Sequence, residues 1–344
     1  MHFNGLDARQ LGVPLLLSLF CGAGGLDLGF EGAGLNSSLA YDIRPHSISS
    51  YNGNRADGRG RIQDIRELSL KMLDQHYGGG FAPIGIIGGP PCQSFSGANT
   101  SDTPDDPRHS LPLEYARLVR ALNARSRMHF FVFENVVGLI GAKHREVFDQ
   151  VTKLLHSAGF NVSHSVLNSA NYGVPQKRRR LIVVGFNRAI YGNLNWVPPI
   201  ATVQPSEWRS VRAAIGHLPA PTFFRKGIEP EQINHHPNHW CMQPKSIRFS
   251  ARRLTTGDMK NRRSFKTLAW DQPSPTVAYG NREVHVHPNC ERRLSVHEAM
   301  LLQGFPIEYV LRGNLSEQIT QVSEAVPPPM AKAVAESIRS QLGL

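Results

Sequence analysis

The chain patterns as a doubly wound α/β fold with a mainly parallel sheet, joined to a second, smaller and basic domain. Three observations predict this. Short apolar runs closed by Gly or Pro recur through the first half, helix-like stretches separate them, and from about residue 188 the periodicity stops while basic residues accumulate. Buried runs alternating with helical patterns imply βαβ units, because parallel strands need crossover connections. The 344 residues are enough for one large domain or two modest ones with real cores.

The elements follow in order. Residues 15–20 read as a buried strand ending in the turn Cys21-Gly22-Ala23-Gly24-Gly25. Residues 39–41 form a second candidate strand, ending at Asp42. Residues 84–87 form a third, closed by Gly88-Gly89-Pro90-Pro91. Residues 130–133 form a fourth, ending at Glu134, and residues 181–184 a fifth, before Gly185. At the C-terminus Met330, Val334, Ile338 and Leu342 recur every four residues, so a helix over 328–342 packs one face on the core. The prolines before it suit a helix start. No internal repeat is present.

Composition narrows the function class. Hydrophobic residues make up 40% and charged residues 19%, a soluble, globular balance. The net charge of +11 makes a polyanion a candidate partner. Residues 188–271 carry thirteen Lys/Arg against five Asp/Glu, a net of +8 that leaves only +3 for the rest. Such a run is often a solvated insertion, but its concentration favours a polyanion-facing module. The cysteines, Cys21, Cys92, Cys241 and Cys290, lie far apart with no Cys-x-x-Cys pair. That argues against a disulfide scaffold and fits a reducing cytosol. The apolar run at 15–20 is too short to span a bilayer, and no positively charged stretch precedes it, so neither membrane span nor signal peptide is expected.

Several motifs carry chemistry. The Gly-rich turn at Cys21–Gly25 lets the backbone turn tightly and approach a ligand. Asp42 ends the second strand about 20 residues on, where nucleoside-binding folds hold ribose hydroxyls. Asp64, followed by Ile65, is placed to accept from an adenine amino group. Either Asp taken alone also reads as an exposed turn residue. Pro90-Pro91-Cys92-Gln93-Ser94-Phe95-Ser96 sits just past a strand, at the carboxyl edge where open α/β sheets place their sites. A buried Cys is usually a small hydrophobe; in this loop, thiolate chemistry is the competing reading. Glu134 ends a strand on the same edge as Cys92, and an apolar setting would raise its pKa for acid catalysis. A structural Glu paired to an Arg is the plainer alternative. Gln176-Lys177-Arg178-Arg179-Arg180 leads into a buried strand, so Arg178 and Arg180 share a face. His235, His236, His239 and Cys241 make a weak metal candidate, with one thiol and Pro237 interrupting the run, and no metal is expected.

In this order and spacing, the motifs resemble the DNA cytosine-5 methyltransferase family in its compact bacterial, restriction-modification form. The matching pieces are Phe20-x-Gly22-x-Gly24-Gly25, Asp42, Asp64, Pro91-Cys92-Gln93, Asp106-x-Arg108-x-x-Leu111, Glu134-Asn135-Val136 and Gln176-x-Arg178-x-Arg180. Arg293-Leu294-Ser295-x-x-Glu298-Ala299 and Gln303-Gly304-Phe305-Pro306 follow the variable stretch. The resemblance implies a Rossmann-like, S-adenosylmethionine-dependent methyltransferase fold. Its catalytic and cofactor-binding part would be residues 1–187, completed by a C-terminal helix at 317–344. Residues 188–316 would be the smaller domain, with target recognition at about 188–271.

The resemblance also implies roles. Cys92 resembles the nucleophile that adds to carbon 6 of cytosine. Glu134 resembles the residue that engages ring N3 and the exocyclic amine, and Arg180 the one that holds the base carbonyl, with Arg178 beside it. Phe20, Cys21, Gly22, Gly24, Gly25, Asp42, Ile43, Asp64, Ile65, Pro91 and Leu111 match the pocket for S-adenosylmethionine, which leaves as S-adenosylhomocysteine. Gln93, Ser96, Arg252, Arg253 and Thr255 are the expected DNA contacts. The implied partner is double-stranded DNA, met by a monomer in the bacterial cytoplasm at the nucleoid. A cognate restriction endonuclease would be a functional, not physical, companion. A tRNA cytosine methyltransferase of the same fold and a non-catalytic DNA-binding regulator are the alternatives. The long basic segment favours DNA, and intact Cys92, Glu134 and Arg180 favour catalysis. One departure stands out: Ser323-Glu324 replaces the family's Gly-Asn before Val326-Pro327, and an added carboxylate beside the cofactor pocket bears against cofactor affinity.

Overall fold

The computed structural model describes residues 15–91, 110–251, 254–258, 265–276 and 285–344. In chain order the strands are β1 (Leu15–Leu19), β2 (Asn36–Asp42), β3 (Gly60–Ile62), β4 (Gly85–Gly88), β5 (Phe130–Asn135), β6 (Phe160–Asn168), β7 (Gln176–Lys177), β8 (Arg179–Asn187), β9 (Thr222–Phe223), β10 (Trp240–Cys241) and β11 (Ser274–Pro275). The α-helices are α1 (Gly25–Glu31), α2 (Pro45–Gly53), α3 (Leu70–Tyr77), α4 (Leu111–Arg125), α5 (Arg145–Ser157), α6 (Arg188–Tyr191), α7 (Val211–Ile215), α8 (Ile247–Ser250), α9 (Val296–Leu302), α10 (Leu315–Glu324) and α11 (Pro328–Leu342).

The predicted α/β class holds. Seven strands form one sheet in the order β3-β2-β1-β4-β5-β8-β6. From β3 to β5 every pair is parallel, and β8 runs antiparallel to both β5 and β6. The chain leaves β1 towards β2 and β3, then crosses back to β4 on the other side. The strand order therefore reverses between β1 and β4, and open α/β sheets bind ligands outside the carboxyl ends of the strands at such a reversal.

Both faces of the sheet are covered, which is why its strands read as continuous apolar runs rather than alternating ones. Leu17, Leu19, Phe131 and Phe133 pack on one face against Tyr115, Leu118 and Leu122 of α4 and Phe148 and Leu155 of α5. Their neighbours Leu16, Phe130 and Val132 point the other way, onto Phe30 of α1 and the face of α11 that carries Met330, Val334, Ile338 and Leu342. Each fully buried side chain of that face contributes roughly 1.5–3 kcal/mol.

A second core lies outside the sheet. Val211, Ile215, Trp240, Leu268 and Leu294 join Met300, Phe305, Ile319 and Val322 there. The C-terminal stretch expected as one helix over 317–344 is two. The Val326-Pro327-Pro328 break separates α10, which faces this second core, from α11, which returns to the sheet. Two strands of the seven-stranded sheet, and the two-residue strands outside it, escaped the sequence pattern. Only three residues long, β3 carries little signal, whereas the edge strand β6 (Phe-Asn-Val-Ser-His-Ser-Val-Leu-Asn) is mostly half-buried and lacks a clear apolar run.

Candidate active site

At the end of β1 the chain enters a turn that needs its glycines. Gly24 has φ +86, a left-handed conformation that disfavours side chains, and a Cβ there would lie 2.9 Å from the Arg55 guanidinium. A Cβ on Gly25 would lie 2.4 Å from the Val326 carbonyl oxygen, so the segment after α10 presses directly on the turn. Beneath it, fully buried Asp27 accepts hydrogen bonds from Ser18 Oγ (2.9 Å), Ser37 Oγ (2.7 Å) and Tyr51 Oη (2.9 Å). These three hydroxyls anchor the start of α1 to β1, β2 and α2. Asp27 was missed in the sequence; its signal was a carboxylate within an otherwise apolar turn.

Asp42 stands at the end of β2 facing this turn. One carboxylate oxygen accepts from Gly22 N (2.9 Å) and the other from Arg44 N (2.9 Å). Burial raises its pKa, while these two N–H groups and the Arg44 guanidinium oppose the rise. Each carboxylate oxygen keeps a further lone pair for a hydroxyl donor. Gly22 has open space where a side chain would stand, and the adjacent Ile43 is 59% exposed, unusual for an isoleucine beside a core strand. An open turn, an acceptor and an exposed apolar platform fit a nucleoside cofactor. Phe20 holds a positive φ of 55 at the head of the turn. Cys21 is buried, and burial together with Asp42 and Asp27 pushes its thiol pKa up. Ile65 and Leu111 lie within the core face beneath the site. The Asp64 carboxylate is engaged by the Arg66 backbone N–H (2.9 Å) and guanidinium.

The chain leaves β4 through Gly88-Gly89-Pro90-Pro91, next to the end of β5. A Cβ on Gly89 would lie 2.7 Å from Glu134 Oε2, so only glycine lets the carboxyl sit against this backbone. Asn135 Nδ2 donates to the Pro90 carbonyl (3.2 Å). Glu134 and Asn135 therefore both touch the segment that leads into Cys92. Cys92, Gln93 and Ser96 lie outside the described residues, as do Asp106, Arg108, Arg252 and Arg253. Thr255 is described and exposed.

Strand register brings Arg180 to Glu134. Glu134 pairs with Ile182 across the β5–β8 ladder, which puts Arg180, two residues on, at the diagonal position of the same face. Arg180 Nε stands 3.0 Å from Glu134 Oε1. Burial raises the Glu134 pKa, and Arg180 and Arg178 only partly offset it. Arg178 is itself buried, and its guanidinium donates to the Ser323 carbonyl (2.8 Å). Arg178 lies between β7 and β8, in neither strand, and its charge also acts on Glu134.

Glu324 does not stand as a bare carboxylate. Arg44 grips it with both guanidinium nitrogens, and the NH2–Oε1 distance is 3.0 Å. Arg44 was not singled out in the sequence, because nothing local links positions 280 residues apart. Two histidines of the basic segment, His236 and His239, are buried packing groups. The His236 ring stacks on His297 at 3.9 Å, and His239 bonds the Pro219 carbonyl (2.9 Å) and Ser295 Oγ (3.0 Å). Among the described residues no group of three or more His, Cys, Asp or Glu is arranged to hold a metal ion, and no helix is long and apolar enough to cross a membrane.

Comparison with known proteins is consistent with this geometry. Residues 15–340 match the model of the C-5 cytosine-specific DNA methylase family. The chain is 33% identical over 336 residues to the Type II methyltransferase M1.HphI of Haemophilus parahaemolyticus, covering 94% of this chain and 86% of that one. It is 29% identical to the Type II methyltransferase M.MthTI of Methanothermobacter thermautotrophicus, covering 95% and 97%. In fold it is similar to an Escherichia coli prophage-encoded putative DNA modification methyltransferase, with a TM-score of 0.77 at 22% identity over 96% of this chain and 100% of that one. The S. pombe Dnmt2 methyltransferase has a TM-score of 0.62 at 16% identity, covering 96% and 100%.

Proposed function

The chain belongs to the C-5 cytosine-specific DNA methylase family, and on that premise we propose that it methylates carbon 5 of a cytosine turned out of duplex DNA, with Cys92 as nucleophile. Carbon 5 of cytosine is a poor nucleophile. Addition of the Cys92 thiolate to carbon 6, with a proton delivered at N3, makes an enamine whose carbon 5 is nucleophilic. S-adenosylmethionine, when bound, supplies the methyl group from its sulfonium. Loss of the carbon 5 proton then allows the Cys92–carbon 6 bond to break, and return of the N3 proton to its donor leaves neutral 5-methylcytosine and the thiolate. A base inside a duplex is out of reach of such a site, so the cytosine must be flipped.

The chain's own residues divide this work. Glu134 holds a proton at the ring N3 position, and its raised pKa keeps it protonated to higher pH than an exposed carboxyl. Arg180, paired with Glu134, orients it and bonds the base carbonyl. Asp42 accepts from ribose hydroxyls, the Phe20–Gly25 turn lies against the cofactor, and Ile43 offers an apolar platform to the adenine. Asp64 and Ile65 complete the adenine side. Residues 188–271 face the DNA. A monomer acting at the nucleoid, and a restriction endonuclease that shares its target sequence, extend the same reading.

The observation that carries this is the contact of Glu134 with Gly89, which sets an acid of raised pKa against the backbone entering Cys92. Bisulfite sequencing of DNA from cells expressing the wild-type protein or Cys92→Ala tests it. Protected cytosines in one sequence context are expected with the wild type alone; equal protection with the variant rules out the covalent route.

A further inference from the structure

Two walls flank the cofactor turn. One is the end of β2, where Asp42 is followed by Arg44. The other is residues 323–326: Val326 O lies over Gly25 of the turn, and the segment is held in place by Gln303 Nε2, which donates to Ala325 O (2.6 Å), and by Arg178, which donates to Ser323 O (2.8 Å). The two-point ion pair of Arg44 with Glu324 joins these walls. It lies close enough to Asp42 that Glu324 raises, and Arg44 lowers, the Asp42 pKa. Neither charge is needed by the core, since the Arg44 and Glu324 side chains remain 29% and 39% exposed. A pair at the rim of a pocket, tied to both walls, restrains how far they separate.

We propose that Arg44 and Glu324 form an ionic latch across the mouth of the cofactor cleft and act as positioning residues that set S-adenosylmethionine retention. The inference rests on the reading that the cofactor lies along the Phe20–Gly25 turn and Asp42. The added carboxylate then costs no affinity, because Arg44 neutralises it. Partly exposed ion pairs are weak and screened by salt, so the expected effect is modest.

Calorimetric titration of S-adenosylmethionine into the wild type, Glu324→Gln, Arg44→Gln and the double variant reads this directly. Each single variant is expected to bind about fivefold more weakly at low salt. The double variant should be no worse than either single, because two halves of one pair are not additive. High salt should bring the wild type towards the variants. Cofactor-free melting should be the same for all four proteins. Unchanged affinity in Glu324→Gln, additive losses in the double variant, or a lowered cofactor-free melting point would each overturn the latch. If the wild type itself fails to bind, the cofactor assignment falls and the latch with it; normal wild-type binding with indifferent variants overturns the latch alone.

Discussion

Arg180 Nε stands 3.0 Å from Glu134 Oε1, yet the carboxyl is still raised above the ordinary glutamate range by its burial. An ion pair in water would lower that pKa; here desolvation outweighs the two guanidinium groups beside it. The pair therefore combines a fixed orientation with a proton that is retained to higher pH, which suits an acid acting on a ring nitrogen.

Glu134→Gln follows from this. The amide keeps the shape and can still bond the base, but it cannot transfer a proton. Methyl transfer should fall by about 10²–10⁴ fold, the usual worth of a positioned acid, while duplex affinity holds. Transfer of labelled methyl groups and gel-shift binding, measured on the same preparations, check it. Near-normal turnover would remove Glu134 from the chemistry.

Asp42 supports its own loop and, in the proposed function, a ligand as well. It accepts from Gly22 N and Arg44 N at 2.9 Å each, and charge-assisted bonds to ribose hydroxyls would add roughly 1.5–3 kcal/mol apiece. Asp42→Ala should weaken S-adenosylmethionine by at least about tenfold, and Asp42→Asn, which keeps one acceptor oxygen, by less. Equal affinity across the three proteins in calorimetry would exclude Asp42 from the site.

Much of this site was legible in the sequence, for a physical reason. Asp42, Glu134 and the Gly-rich turn all fall where an apolar run stops, and in an open α/β sheet those stops gather on one edge. Arg44 with Glu324 and Asp27 with its three hydroxyls were not legible, because their partners meet only through tertiary packing. The same limit hid β6, whose burial depends on lying beside β8 rather than on its own pattern. His235, His236, His239 and Cys241 made only a weak metal candidate in one dimension, and in the fold the rings of His236 and His239 take stacking, carbonyl and hydroxyl partners.

The buried histidines make stability pH-dependent. Burial, the largest cause for each, holds His236, His285 and His287 down to about 4 and His297 to about 3. The unfolded chain binds protons on these rings below about pH 6.5, whereas the folded chain does not until far lower. The unfolded state thus holds more protons in that window, and stability falls as pH drops from about 6.5 towards 4. Melting points between pH 7.5 and 5 should decline, and His297→Phe, which keeps a ring against His236, should flatten the slope. Parallel curves for the variant and wild type would assign the acid sensitivity elsewhere.

The basic segment proposed to read the DNA allows the most discriminating test. Residues 188–271 hold thirteen Lys/Arg against five Asp/Glu, and the described part already commits some of these charges. Arg212 is paired with Asp271 at 2.8 Å, and the Arg248 guanidinium lies over the Phe265 ring at 4.8 Å. Charges left to meet phosphates should, when removed, weaken all duplexes alike and reduce the salt dependence of binding. Charges that reach guanine edges should cost about 1–3 kcal/mol at one base position only. Arg252 and Arg253, which precede the exposed Thr255, are the first to substitute. Exchanging residues 188–271 for those of a relative with another target should move the methylated sequence while the chemistry at Cys92 and Glu134 continues. A chimera that stays active on its original sequence would show that recognition lies outside this segment.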